Sequence, residues 1–376
     1  MQWEKHAAAL ADASTDSGSR WRPLVAAVPR HRFMPRWWHR RGDAWALHDG
    51  PSDEAAWAQH AYADRSVITR VGPDHADLAE YGDTPAGLPT SSATLPSLVV
   101  RMFQHARITD GCELLDVGTG SGYGAALAAL RLEEHRVTSI DVDAYLVNAA
   151  RHRLDRIGLR PRLEATDGTG TLLGEYDRIV ATVAVRRVPP SWLAALRPGG
   201  RLVTTISETT LIVTAEKRED GTAVGRVEWD RAGFMQARAG SDYPDTLPDG
   251  LRDTARHRDG DSITGSDFPV LDIQEAWDVA AMLSIEAPGT VYGFDETDGC
   301  RVTWLAHPDG SWARASSSGT GTTVVHQSGP RRLWEVLNGI RGYWLAHGEL
   351  PVRGARVLIT PDGRTRLARG SWRAAL

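Results

Sequence analysis

Glu113-Leu-Leu-Asp-Val-Gly-Thr-Gly-Ser-Gly-Tyr-Gly-Ala-Ala-Leu-Ala-Ala-Leu130 carries the strongest local pattern in the chain. Leu114, Leu115 and Val117 form a short apolar run interrupted by one acid, Asp116. Gly118, Gly120 and Gly122 follow, then an Ala/Leu run that meets no breaker before Arg131. The order is that of a buried strand, a tight glycine turn and a helix. Glycines let the backbone approach a ligand closely and take φ values closed to other residues. The helix that follows aims its N-terminus at that ligand.

Two ligand-binding readings compete for the turn, beside a plain structural one. A dinucleotide fingerprint needs G-x-G-x-x-G. Here Tyr123 stands where the third glycine belongs, and the spacing is G-x-G-x-G instead. An acid two residues before the first glycine would repel a pyrophosphate, but it can hydrogen-bond water or a ligand's ammonium. This closer spacing resembles motif I of class I S-adenosylmethionine (SAM) methyltransferases. The resemblance places Asp116, Gly118, Thr119, Gly120, Ser121, Gly122 and Tyr123 around SAM, with S-adenosyl-L-homocysteine as the product.

The downstream chain repeats the theme. Arg136-Val-Thr-Ser-Ile-Asp141 reads as a second strand ending in an acid, and an acid about 20 residues past such a turn suits ribose hydroxyls. Asp143 to Ile157 reads as a helix stopped by Gly158. A short third strand, Pro161 to Ala165, leads to Thr166-Asp-Gly168. Asp177 to Val183 and Arg201 to Ile206 read as further strands around a helix over Pro189 to Leu196. Leu211 to Ala215 and Ala223 to Trp229 flank Glu219-Asp-Gly221 as a hairpin. Alternating strands and helices imply a parallel, doubly wound α/β sheet with ligands at the strands' carboxyl ends. Asp116, Asp141 with Val142, and Asp167 with Gly168 would converge there, a Rossmann-like arrangement.

Composition bounds the alternatives. A length of 376 residues exceeds one average domain, and 41% hydrophobic residues can build a core. The net charge of -5 and a pI near 6.2 carry no basic footprint for nucleic acid. The apolar runs are too short for a membrane span, and Met-Gln-Trp-Glu-Lys is not a signal-peptide start, so a cytoplasmic protein is expected. Cys112 and Cys300 form no C-x-x-C, and the histidines His31, His39, His48 and His60 lack metal-ligand spacing, so no metal site is expected. Lys5 and Lys217 are the only lysines; the arginine bias fits either carboxylate recognition or a GC-rich genome. Most of the 14 tryptophans are expected in cores, with some free to line a peptide groove.

Four regions follow. Residues 1–95 read as an N-terminal helical cap and a substrate loop, with 71–95 rich in Gly, Pro, Asp, Ser and Thr. Thr94 or a neighbour could simply cap the helix that Pro96 begins. Residues 96–238 form the SAM-binding domain, 239–268 a linker, and 269–376 a smaller α+β accessory domain. The accessory domain holds two hairpins around Pro308-Asp-Gly310 and Pro361-Asp-Gly363 and an apolar-striped helix from Arg331 to His347. Both a packing role and a role in peptide recruitment or as a lid fit it.

Several segments together resemble the protein-L-isoaspartate O-methyltransferase family over roughly residues 20–238. These are Val28-Pro-Arg-His-Arg-Phe-Met-Pro35, Ala61-Tyr-Ala-Asp64, Thr90-Ser-Ser-Ala-Thr-Leu-Pro96, Leu115 to Tyr123, Asp167-Gly168 and Leu196-Arg-Pro-Gly-Gly-Arg-Leu-Val203. The resemblance implies that Thr94 orients an acceptor carboxylate, assisted by Ser91 and Ser92. Leu95 departs from the repair enzymes' Gln or Ala. The T-S-S-x-x-x-P loop and the long C-terminal extension resemble the branch of ribosomal peptide biosynthesis (graspetide, lanthipeptide and lasso pathways, the graspetide branch most closely). There the substrate is an aspartate of a modified, macrocyclised precursor peptide, and the ester collapses to an aspartimide. General isoaspartate repair is the alternative, and a peptide-binding protein without catalysis a third reading. Carboxylate methylation needs no general base, because the acceptor, with a reference pKa of about 3.9, is already ionised at neutral pH.

Overall fold

The computed structural model describes residues 1–238, 247–318, 321–349 and 352–376. The chain opens with helices α1 (Trp3–Ser14) and α2 (Arg22–Ala27). Ala7, Leu10, Ala11 and Ser14 are the buried positions of α1, the spacing of one helical face. The region is not simply helical, as the sequence suggested. Strands β1 (Arg36–Arg41) and β2 (Ala44–Asp49), helix α3 (Glu54–Ala61), and strands β3 (Val67–Val71), β4 (Asp74–His75) and β5 (Pro89–Ala93) follow. The strands form an antiparallel sheet in the order β2-β1-β3-β4, with β5 also paired to β3. The expected substrate loop therefore ends in a strand, fixed by pairs such as Val67 with Ala93 and Ile68 with Ser92. The sheet also gathers His39 and His48, whose ring centroids lie 4.1 Å apart, and Trp37 stacks on His48.

The middle of the chain runs α4 (Pro96–His105), β6 (Leu114–Val117), α5 (Tyr123–Leu132), β7 (Val137–Asp141), α6 (Ala144–Asp155), β8 (Arg162–Ala165), β9 (Tyr176–Val185), α7 (Pro190–Ala195), β10 (Leu196–Ile206), β11 (Leu211–Lys217) and β12 (Ala223–Arg231). β10, β9, β6, β7 and β8 pair in parallel in that order, and β11 and β12 close as antiparallel strands. All four residues of β6 are buried, as a strand covered on both faces requires. The order reverses between β6 and β9, the two strands that start opposite halves of the sheet, which opens a crevice between their carboxyl ends. Leu114 and Val180 face the core built on the N-terminal helices, whereas Leu115 and Ile179 face a second core on the other side.

The C-terminal region contains α8 (Leu251–His257), β13 (Ser262–Ser266), α9 (Trp277–Glu286), β14 (Val291–Thr297), β15 (Cys300–Ala306), β16 (Trp312–Ser318), β17 (Thr323–Ser328), α10 (Leu333–Ala346), β18 (Arg356–Ile359), β19 (Thr365–Arg369) and β20 (Trp372–Ala375). Two boundaries read from sequence need correction. The 239–268 linker carries α8 and β13, while its first residues, 239–246, lie outside the described residues. Nor is 269–376 a separate domain. β18 pairs with β12 from Ala223–Ile359 to Arg226–Arg356, so β18, β19 and β20 extend the central sheet to ten strands. Val279, Leu283, Leu305, Trp334 and Leu337 join Ile179, Leu202 and Val213 in one core. Burying side chains of this size stabilises by about 1.5–3 kcal/mol each. Among the described residues no helix is long and apolar enough to cross a membrane.

Candidate active site

A cavity of about 580 Å³ opens beyond the carboxyl ends of β6, β7, β8 and β9. Its floor is the glycine turn. Gly118, Gly120 and Gly122 all hold positive φ, at 102°, 49° and 91°. A side chain on Gly118 would meet Val183 Cγ1 at 2.9 Å and Thr182 Oγ1 at 3.0 Å. Thr182 Oγ1 donates to Gly118 O at 3.1 Å, which pins the turn to β9. Gly122 differs from its partners. It is absent from the cavity wall, and a Cβ there would lie 2.9 Å from Ala150 Cβ. It serves the close packing of α5 on α6 rather than the approach of a ligand.

Two acids sit above this floor, with different hydrogen-bond partners. Asp116 is 2% exposed and accepts one hydrogen bond, from Ser139 Oγ at 2.7 Å. Burial pushes its carboxyl up to about 7, the Ser139 bond opposes that, and Asp141 adds to it. Asp141 accepts from Gly120 N–H at 2.9 Å and from Asp143 N–H at 3.0 Å. Burial raises its carboxyl as well, against those two bonds. Each of its oxygens takes one backbone N–H and keeps lone-pair capacity for ribose hydroxyls. Asp167 accepts from Thr169 N–H and Oγ1 at 2.8 and 2.7 Å, closing a turn that presents Gly168 to the cavity. Val142, Ile140, Val183 and Trp192 supply apolar wall between them.

The donor set fits S-adenosyl-L-methionine. A buried acid with one neutral partner, such as Asp116, favours a cation such as the methionine ammonium. Asp141 would hold the ribose, and Gly168 with the apolar wall would hold the adenine. Thr119, Ser121 and Tyr123 also line the cavity. Thr119 Oγ1 hydrogen-bonds Ser139 Oγ at 2.7 Å, so it braces the Asp116 partner.

The opposite wall is the hydroxyl strand. Ser91, Ser92 and Thr94 all line the cavity, and the position of a Gly120 Cβ is 3.5 Å from Ser92 O and 3.9 Å from Ser91 Oγ. Ser91 Oγ accepts from Thr69 Oγ1 at 3.1 Å. Thr94 does not cap α4. Asp64 does, accepting from Ser97 N–H at 2.9 Å, and Ser66 Oγ accepts from Leu95 N–H at 3.1 Å. The hydroxyls of Ser92 and Thr94 have no protein partner among the described residues and are left for a ligand.

Sequence reasoning passed over the residue that holds this wall. Arg30, fully buried, donates to Ala61 O (2.7 Å), Ala63 O (3.2 Å), Arg65 O (2.9 Å), Ala93 O (3.1 Å) and Thr94 O (3.1 Å). Burial lowers its guanidinium to about 10. One side chain thus ties Val28 to Pro35, Ala61 to Asp64 and Thr90 to Pro96 into one unit. Those are three of the segments that carry the family resemblance, but nothing local in them marks Arg30 as the residue that joins them. The strap after β12 gave no signal. Its Met235 O accepts from Ala184 N–H at 2.8 Å, and Ala184 O accepts from Ala237 N–H at 2.7 Å. This lays residues 231–238 across the end of β9 as the cavity's outer wall. No histidine or lysine lines the cavity among the described residues.

A switch-point crevice, a glycine turn and three strand-end acids define a SAM-dependent methyltransferase of the class I, Rossmann-like fold. Its lining carries hydroxyls and, among the described residues, no histidine or lysine. The family model described as Protein-L-isoaspartate(D-aspartate) O-methyltransferase matches residues 64–232. The Protein-L-isoaspartate O-methyltransferase of Anaeromyxobacter dehalogenans is 33% identical over 186 residues, covering 47% of this chain and 86% of the relative. That of Gloeobacter violaceus is 33% identical over 189 residues, covering 50% and 73%. That of Thermococcus onnurineus is 34% identical over 138 residues, covering 35% of this chain and 62% of its own length. A solved protein-L-isoaspartate O-methyltransferase aligns over 100% of this chain with a TM-score of 0.49 and 16% identity. The chain belongs to the protein-L-isoaspartate O-methyltransferase family.

Proposed function

We propose that the chain methylates a peptide carboxylate at an L-isoaspartyl residue, as the names of its relatives describe for them. The observation that carries this is the pair of hydroxyls, Ser92 and Thr94, which among the described residues have no protein partner and face a cavity lined by no histidine or lysine. An ionised carboxylate accepts two neutral hydrogen bonds from them and keeps a lone pair for attack. Neutral donors orient it without the charge withdrawal an ion pair would bring. SAM bound over the glycine turn would supply the electrophilic methyl. The strap at 231–238 shields the reacting groups from water, and the rigid hydroxyl wall sets their alignment.

A second reading has its own support. Leu95 stands in the wall where repair enzymes carry Gln or Ala, and the C-terminal region reaches a lining residue through Trp277, whose ring lies against Arg231. Both features fit an aspartate in a constrained precursor peptide, methylated and then cyclised to an aspartimide by its neighbouring amide. Mass spectrometry after incubation with SAM separates the two. Methylation of a linear isoaspartyl peptide supports repair. A methyl gain of about 14 Da followed by methanol loss on a macrocyclic aspartyl peptide alone supports tailoring. Methylation of neither peptide sinks the carboxylate assignment.

A further inference from the structure

The cavity's acids, Asp116, Asp141 and Asp167, lie at or just past the ends of the parallel strands, where the cofactor fits. Three arginines also line it: Arg238 of the strap, which donates to Thr90 O at 3.3 Å and whose charge acts on Asp141, and Arg101 and Arg231, from α4 and the end of β12. The last two are in different situations. Arg101 Nη1 donates to Asp230 Oδ1 at 2.7 Å, and Asp230 Oδ2 is held by His105 Nε2 at 2.8 Å. Arg231 has no carboxylate partner among the described residues, and its guanidinium lies over the ring of Trp277. Trp277 begins α9, so it comes from the C-terminal region, and it is 41% exposed. An indole face fixes the plane of a guanidinium while leaving the N–H fork free for a carboxylate.

We propose that Arg231, held by Trp277, recognises a second carboxylate on the acceptor peptide, so that the C-terminal region selects peptides with an acidic residue beside the methylated one. The proposal rests on the peptide-carboxylate reading above. A second carboxylate fits better than the acceptor itself, because the acceptor already has neutral donors in Ser92 and Thr94. It also explains why a large indole stays in solvent at the seam between two regions whose tryptophans are mostly buried.

Binding to the enzyme saturated with S-adenosylhomocysteine tests this without turnover. Two labelled isoaspartyl peptides, differing only in Glu or Gln two residues from the isoaspartate, are titrated by fluorescence anisotropy. The wild type binds the Glu peptide about tenfold more tightly. Arg231→Gln abolishes the preference, Trp277→Ala loses most of it, and Trp277→Phe retains it. S-adenosylhomocysteine affinity stays unchanged in all three, which also reports intact folding. Equal binding of both peptides by the wild type overturns the proposal, as does a preference that survives Arg231→Gln. A loss of S-adenosylhomocysteine affinity in Arg231→Gln overturns it too, by placing the guanidinium on the cofactor. Methyl transfer by the wild type, measured in parallel, tests the proposed function separately: its absence removes that reading while the binding preference stays measurable.

Discussion

Asp116→Asn should stabilise the ligand-free protein at pH 8 and weaken its hold on the cofactor. The carboxyl moves from 3.8 to about 7 on folding, chiefly by burial. A folded pKa above the unfolded one means the native state keeps a proton that the unfolded chain has lost. The stability this represents is full below pH 3.8 and drains away as pH rises through about 7. Roughly 3 pH units at 1.36 kcal/mol each give about 4 kcal/mol, of which about 3 kcal/mol falls between pH 5 and pH 8. Asparagine is neutral throughout, and its carbonyl oxygen can still accept from Ser139. Urea unfolding of both proteins at pH 5 and pH 8, extrapolated linearly to water, measures the difference. The stability of Asp116→Asn relative to wild type should rise by about 3 kcal/mol across that interval. Calorimetric titration at pH 8 should show S-adenosylhomocysteine binding weakened at least tenfold, because the ammonium loses its counter-charge. Parallel pH profiles for the two proteins would refute the reasoning, since the buried charge would then cost nothing.

Thr94→Val should cut methyl transfer at least tenfold with S-adenosylhomocysteine affinity unchanged, checked by single-turnover kinetics beside calorimetry. Arg30→Lys can serve at most three of the five carbonyls and should destabilise by about 3–5 kcal/mol, seen as a lower urea midpoint. Gly122→Ala meets both a positive φ and a 2.9 Å contact with Ala150, and should cost about 2–4 kcal/mol in thermal unfolding. Asp64→Ala removes the cap of α4 and should cost about 1 kcal/mol, with a larger fractional loss in methyl transfer as Thr94 loses its fixed frame.

The legible parts of the chain were those whose signal is local. β6, β9 and β10 carry apolar runs closed by turns, and the glycine spacing marks the turn between β6 and α5. The sequence predicts a loop at β5 because Pro-Thr-Ser-Ser-Ala has no apolar alternation; it is a strand because β3 pairs with it. β18 announces itself as Val-Leu-Ile, yet nothing local says that its partner is β12 rather than a strand of the C-terminal region. Gly122 shows a limit of motif reading: three glycines in one pattern serve two purposes, ligand approach and helix packing. Arg30 and Arg231 were invisible for a shared reason. A guanidinium that holds five buried carbonyls and one that waits at a cavity mouth are the same letter in a sequence rich in arginine.

The pairing of β12 with β18 also bears on how the protein is made. Arg226 and Arg356 are neighbours across a ladder but 130 residues apart in the chain. Until that distant strand has left the ribosome, β12 presents a bare hydrogen-bonding edge, and the sheet face beneath α9 and α10 stays wet. The nascent methyltransferase portion is therefore an unfinished object during vectorial synthesis, exposed to edge-to-edge association.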